Sequence, residues 1–457
     1  MKHMSKAIAL ILALVLLAAL FAGCGKEQAD PSAAADPAPP AADTAGDDVA
    51  NAIQEEGNSL SIWLYESFSD AANEATMARI EQFEEDYNVE IEYEWVTDQN
   101  YTTKYNAGVE AGVLPDVTYM RSDILLSTYP NIKLADLSGL INELNAEAGF
   151  VQSFVDGGTI NGASYIVPSF SSAQPVVYRK DLFAEAGYET FPASWEDLRD
   201  ACIKISELHP DIAGFGIGFG INENEGEQVF RSMMWDYGGG LFDAEGNISA
   251  DCPENAEALQ LYVDMWNAGA LPADAASWDA GSNNANYMQE TVAMTCNAYT
   301  ILSALAEPGY EALNKNTGVA MRPAGPAGSH NDICTYGWGI FADTEAMETA
   351  QAFLRYMSEP TWYAGWIEEL APVYGPTLVS VVESPYWQAE PGSILVEFGK
   401  NGAPFGYPAT DVETRAKAAQ VFNSYKLNEC MSNIIVGGMS VEEGLAWLQA
   451  EMEAMFS

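Results

Sequence analysis

The sequence predicts an α/β fold divided into two lobes, on three observations. Strand-like and helix-like segments alternate from Ser59, and the same alternation starts again near Pro175. The chain beyond Ser59, about 400 residues, also exceeds what one ordinary hydrophobic core organises.

Ser59-Leu60-Ser61-Ile62-Trp63-Leu64-Tyr65 alternates apolar and polar residues and reads as a strand. Met77, Ile80, Phe83 and Tyr87 then fall at helical spacing over 70–87, with charges on the other face. A second alternating strand over 89–95, a helix over 100–111 and a short apolar strand over 115–119 follow. Strand, helix, strand, helix, strand is the pattern of a parallel sheet with helices on its faces. In the second series 175–178 is a strand, and Ser194-Trp195-Glu196-Asp197 opens a helix with a capping-box pattern. The glycine-rich stretch 214–220 reads as a strand, 228–235 as a helix, and Gly238-Gly239-Gly240 as a turn. Ser440-x-x-Glu443 caps a last helix whose Val441, Leu445, Leu448, Met452 and Met455 form an apolar stripe for the core. No internal repeat is visible.

The amino terminus has a different character. Lys2 and Lys6 precede an apolar run over 7–21 that closes on Leu20-Phe21-Ala22-Gly23-Cys24. The run is roughly 15 residues, short of the ~20 a membrane-crossing helix needs, so it reads as a secretory signal. The stretch resembles the lipobox of bacterial lipoproteins. That resemblance implies a signal peptide over 1–23, cleavage before Cys24, and acylation of Cys24. From 24 to 58 the chain is mainly Ala, Pro, Asp and Gly, with Pro31, Pro37, Pro39 and Pro40 extending it and Asp30, Asp36, Asp43, Asp47 and Asp48 repelling one another. It is expected to be a disordered tether at a membrane surface. One acyl chain binds membranes only marginally, so a stable anchor takes two or more.

Composition narrows the partners. With 66 acidic and 19 basic residues, net charge −47, the chain is a poor fit to nucleic acid or other polyanions, which are held by Lys and Arg. Neutral or cationic solutes remain, and the charge itself serves solubility at an exposed cell surface. Besides Cys24 there are Cys202, Cys252, Cys296, Cys334 and Cys430, scattered and odd in number. Neither a disulfide scaffold nor a zinc site is indicated. His3, His209 and His330 are the whole histidine complement, so no histidine triad, metal centre or cofactor is expected.

Several segments carry a family resemblance. Val177-Tyr178-Arg179-Lys180-Asp181-Leu182-Phe183-Ala184-Glu185-Ala186-Gly187, followed by Phe191-Pro192-Ala193-Ser194-Trp195-Glu196-Asp197-Leu198, is similar to the most recognisable stretch of the extracellular solute-binding proteins of ABC importers, the sugar-binding group that includes maltose-binding protein. Arg179 stands where that family usually has Asn, and Ser194 where it has Thr. Gly238-Gly239-Gly240-Leu241-Phe242-Asp243, Val292-Ala293-Met294 leading to Tyr299, Tyr336-Gly337-Trp338-Gly339-Ile340 and Ala350-Gln351-Ala352-Phe353-Leu354-Arg355-Tyr356-Met357 fit as well.

The resemblance implies a periplasmic-binding-protein-like fold with a hinge and an interlobe cleft. Lobe one would be 59–167 plus 335–385, lobe two 168–334 plus 386–457, with crossings at Pro168 and in the loop 325–331. It also implies a lipid-anchored monomer that captures a mono- or oligosaccharide by lobe closure and delivers it to permease subunits powered by an ATPase, without breaking a bond. Alternatives are a polyamine or peptide ligand in the same fold, a secreted glycosidase, and a surface glycan receptor with no transport role.

Sugar sites combine flat aromatic surfaces with planar polar groups. By motif position, Tyr299 stands where the family has a stacking Trp, and Asp123 matches a hydroxyl-binding carboxylate. Ser172 falls where the second lobe's crossing meets the cleft, a place where the sugar-binding pattern often has Glu. Tyr65 and Glu66 sit at the carboxyl end of the first strand, where ligands gather in open α/β sheets. Glu225 and Glu227 precede the Gly-Gly turn, near a family cleft carboxylate. Trp338 lines the cleft or packs under the hinge, and Trp278 and Tyr407 complete the aromatic candidates. Asp116 is expected to be structural.

Overall fold

The computed structural model of the chain describes residues 44–67, 69–220 and 223–457. The signal peptide over 1–23, the acylated Cys24 and the tether as far as 43 lie outside the described residues.

Where the tether was expected to continue to Asn58, a helix runs over Thr44–Glu55. Val49 and Ile53, four residues apart, share one helical face, and Ile53 is fully buried. The Glu56 carboxylate accepts from the Glu348 and Thr349 backbone N–H groups at 2.9 Å each and from the Thr349 hydroxyl at 2.8 Å. Two apolar side chains are too few to register in composition, yet they suffice where a folded body receives them.

A six-stranded sheet follows, in the order Gly375–Pro376, Val167–Ser172, Cys334–Ile340, Val117–Arg121, Ser59–Tyr65, Glu90–Val96. Its predicted half is parallel: Ser59–Tyr65 pairs residue for residue with Glu90–Val96, and Ile62 and Trp63 pair with Val117 and Thr118. The helices between them are Asp70–Tyr87 and Asp98–Ala111. Ser69 starts the first by accepting from the Ala72 N–H at 3.2 Å, and Asn88 ends it in the left-handed conformation. Asp116 is structural, as expected: its Oδ2 accepts from the Ser61 N–H at 2.8 Å and from the Ser61 hydroxyl at 2.7 Å. The other half of the sheet is antiparallel and comes from distant sequence. Cys334–Ile340 lies between Val117–Arg121 and Val167–Ser172, and Gly337 sits so close to its neighbour that a Cβ there would meet the Val167 carbonyl oxygen at 2.1 Å.

A second, three-stranded antiparallel sheet holds Met294–Cys296, Val176–Arg179 and Thr317–Ala320. The chain thus passes from one sheet to the other over 173–175 and returns over 321–333. Pro168, expected at the crossing, instead pairs with Gly337 inside the first sheet. Arg322 fastens both passages: its Nε donates to the Gln174 carbonyl at 2.8 Å and its guanidinium meets the Asp332 carboxylate at 3.1 Å.

The predicted strand over 214–220 is extended chain without a ladder of its own, apart from the bridge Ala213–Val292 beside it. Its glycines answer to crowding. A Cβ on Gly214 would lie 2.3 Å from the Cys202 carbonyl oxygen, and one on Gly220 2.1 Å from that of Trp278. The next helix, Asn224–Asp236, starts four residues before the predicted one because Glu223 caps it, accepting from the Gly226 N–H at 2.5 Å. Ser194 caps Trp195–Leu208 through the Asp197 N–H at 3.1 Å, the forward half of the predicted box. Ser440 and Glu443 form the full reciprocal box on Val441–Met455. Its stripe is buried as far as Met452, while Met455 is exposed in the last turn. The five cysteines from Cys202 onward are free thiols. Among the described residues no cluster of metal-ligating side chains occurs, and no helix is long and apolar enough to cross a membrane.

Candidate functional site

A cavity of about 410 Å³ opens between strands of the first sheet and a wall of helices and loops that includes the segment 297–300 after the strand Met294–Cys296. One wall grows from the carboxyl ends of the first sheet's parallel strands. Tyr65 ends its strand with its hydroxyl 2.8 Å from that of Tyr374, and its ring packs at 5.5 Å against both Phe170 and Tyr336. Tyr336 in turn stacks on Phe170 at 4.8 Å. Arg121 ends the strand Val117–Arg121, and Asp123 lies in the helix Ser122–Ser127 directly after it. The tight turn lets Arg121 donate to Asp123 through two nitrogens, at 2.9 and 2.7 Å. Asp123 is fully buried, so this forked pair is held in one orientation.

The opposite wall is polar. Asn224, Glu225 and Gln228 come from the first turn of Asn224–Asp236, and Gln174 from the crossing. Asn284, Asn297 and Thr300 close a ring of hydrogen bonds: Asn297 donates to Asn284 at 2.5 Å, Asn284 to Thr300 at 2.8 Å, and Thr300 to Asn297 at 3.0 Å. Phe405 and Phe422 add apolar surface. Two buried oxygens of this wall, Gln174 Oε1 and Gln228 Oε1, have no hydrogen-bond partner, and the Glu225 carboxyl hydrogen-bonds that of Glu223. Burial pushes Glu223 well above the usual carboxyl range, with the Glu225 charge adding to it, and burial raises Glu225 as well.

Of the residues singled out by sequence, Tyr65, Asp123, Ser172 and Glu225 meet at this cavity. The other six do not. Glu66 is exposed and borders a separate groove with Glu74, Glu81 and Trp95. Glu227, two residues past Glu225, faces the interior: it is fully buried, with the Arg231 guanidinium at 3.5 Å and the Asn428 N–H at 3.3 Å. Trp278 is buried and donates its indole N–H to Asp274 at 3.0 Å. Tyr299, expected as the stacking platform, takes a left-handed backbone (φ 63°) ahead of the helix Thr300–Leu305. That turn sends its ring into the core, while Asn297, Ala298 and Thr300 line the cavity. Trp338 shares a strand face with Tyr336 but lies two residues, roughly 7 Å, further from the rim, and packs on Tyr119 at 4.2 Å. Tyr407 meets His330 Nε2 with its hydroxyl at 3.0 Å, away from the cavity.

Sequence reasoning missed Arg121, Tyr336, Tyr374 and the amides Gln174, Gln228, Asn284 and Asn297. Arg121 was within reach, since it follows a predicted strand just as Tyr65 ends one. Tyr336 opens the segment Tyr336-Gly337-Trp338-Gly339-Ile340, and nothing local in the sequence separates its ring from that of Trp338. The amides carried no local signal.

Two α/β sheets joined by crossing segments, with a cavity between an aromatic and a polar wall, define the class of two-lobed binding folds. Solved structures agree: maltose-bound MalE3 of T. maritima superposes with a TM-score of 0.71 at 20% identity, over 87% of this chain and 99% of that one. A sugar transporter from Arthrobacter chlorophenolicus A6 with bound laminaribiose superposes with a TM-score of 0.70 at 20% identity, over 87% and 99%. The family model described as bacterial extracellular solute-binding protein matches residues 67–364, and the chain belongs to that family, one of binding proteins and not of enzymes. Among relatives, a protein of Brucella abortus (strain 2308) named as a binding protein is 28% identical over 270 residues, 58% of this chain. The match spans 62% of that relative's own length. A protein of Escherichia coli (strain K12) whose name describes an ABC transporter periplasmic-binding protein is 25% identical over 349 residues, 73% of this chain and 77% of that one.

Proposed function

We propose that the chain is the lipid-anchored substrate-binding component of an ABC importer, taking a mono- or oligosaccharide into its cavity and passing it to permease subunits driven by an ATPase. The observation that carries this reading is the cavity of about 410 Å³ with Tyr65, Tyr336 and Tyr374 on one wall and Glu225, Gln228 and Asn284 on the other. A sugar has C–H faces that pack on aromatic rings and hydroxyls that need such polar partners. The maltose and laminaribiose held by the two structural neighbours support a carbohydrate, and the name of the E. coli relative supports coupling to an ABC permease.

Capture works by closure of the lobes, 59–167 plus 335–385 against 168–334 plus 386–457, with the strand Val167–Ser172 assigned to the first because it pairs there. A bound sugar favours the closed form only by touching both walls, which the lining residues of the two walls allow. Cys24 carries the acyl anchor, and the protein acts as a monomer.

A thermal-shift panel of oligosaccharides, peptides and polyamines tests the ligand class, since a specific ligand raises stability by mass action. A shift with sugars alone is the expected result; a shift with polyamines or peptides alone would replace the carbohydrate. Cys24→Ser should move the protein from the membrane to the soluble fraction. A gene deletion that leaves uptake of the bound sugar intact would turn the reading toward a surface receptor.

A further inference from the structure

We infer that the ligand presents an ammonium group to Glu225, so that the solute is an amino sugar; the inference rests on the carbohydrate reading above. Three charged side chains line the cavity, Arg121, Asp123 and Glu225. Arg121 and Asp123 neutralise each other through their forked pair. Glu225 has no such counterpart. It is 9% exposed, and the group its carboxyl hydrogen-bonds to is another buried carboxyl, Glu223, so that a shared proton stands where a cation would. Capping the helix occupies Glu223 Oε2 and leaves its other oxygen to the bond with Glu225.

A second observation points to the same occupant. Gln174 is 8% exposed and brings an unpartnered oxygen to the cavity, and Gln228 a second. An ammonium carries three donors and no acceptor, the complement of this set. A net charge of −47 raises the local concentration of cations.

The empty pair keeps a proton because two buried carboxyls cannot both ionise. An incoming ammonium replaces that proton: the Glu225 carboxyl releases H⁺ to water and the carboxylate accepts from the ligand's N–H. The groups facing the pair are Cys296 from the second sheet, Tyr262 from Pro253–Asn267, Tyr425 ahead of Lys426–Ile435, and the Arg121–Asp123 pair across the cavity. None of them supplies an uncompensated cation.

The test compares matched sugars on the full-length protein by calorimetry between pH 5 and 7: the β-1,4-linked glucosamine disaccharide against cellobiose, and glucosamine against glucose. The amino member should bind roughly tenfold tighter or better. Its affinity should rise with pH, and buffers of different ionisation enthalpy should report proton release. Glu225→Gln should abolish the preference. Equal or tighter binding of the neutral members, or an amino-sugar affinity independent of pH, overturns the inference and leaves the carbohydrate reading standing. No binding by any sugar, in these pairs or the wider panel, overturns both. The wild-type pH profile and proton release decide the matter even if Glu225→Gln does not fold.

Discussion

Glu227 offers a test of how the core bears a buried acid. Its carboxyl is fully buried, and that burial pushes its pKa from 4.5 up to about 7 against the smaller opposing pull of Arg231. The folded protein therefore holds a proton that the unfolded chain releases above pH 4.5. A raised folded-state pKa on an acid makes stability greatest below 4.5, with a progressive loss as pH rises to about 7. At about 1.4 kcal/mol per pH unit the interval corresponds to about 3 kcal/mol. Glu227→Gln removes this titration and keeps an acceptor for the Asn428 N–H. Whatever constant offset the substitution brings through Arg231, the variant should gain about 3 kcal/mol on the wild type between pH 4.5 and 7, and nothing more above that. Urea unfolding of both proteins at half-unit pH steps measures the difference directly. Glu223, Glu225 and Asp236 are shifted in the same direction and cancel in the comparison. A stability gap that stays flat across this range would refute the reasoning, and sugar affinity should be unchanged because Glu227 does not reach the cavity.

Tyr299→Phe deletes a buried hydroxyl that has no partner, so stability in urea should rise by about 1 kcal/mol with no change in ligand affinity. Asp123→Asn should cost roughly 3 kcal/mol at pH 7, read from the denaturation midpoint, because Arg121 loses its opposing charge in a mostly buried setting. Tyr374→Phe removes the hydroxyl that meets Tyr65 and should weaken sugar binding roughly fivefold by calorimetry; an unchanged Kd would take that edge out of the site. Gly214→Ala would force a methyl against the Cys202 carbonyl and should destabilise the fold by roughly 2 kcal/mol or more, visible as a lowered Tm.

The legible part of the site has two sources. Tyr65 follows from reading where a parallel strand terminates, and Asp123, Ser172 and Glu225 from positions the family resemblance implies. The failures share one cause, that a motif marks a neighbourhood and not a direction. Tyr299 sits among Asn297, Ala298 and Thr300, all of which line the cavity, yet a left-handed turn sends its ring the other way. Glu227 is two residues from Glu225 on a helix, about 200° around the axis, and so faces the core. Trp338 and Tyr336 share a face, and depth along the strand separates them.

What the sequence by itself determined is the local order: the alternation that makes the first parallel strands, the caps at Ser194 and Ser440, and a family pattern distributed along the chain. These depend on residues within a few positions of one another, and short-range spacing records them. Only the tertiary structure decided that Cys334–Ile340 and Gly375–Pro376 complete the first sheet, that the crossing falls after Ser172, and that Gln174, Gln228 and Asn284 face one cavity with Tyr374. Those partners stand far apart in sequence, and their meeting is set by how whole sheets pack, a balance of burial and hydrogen bonding that no single segment carries.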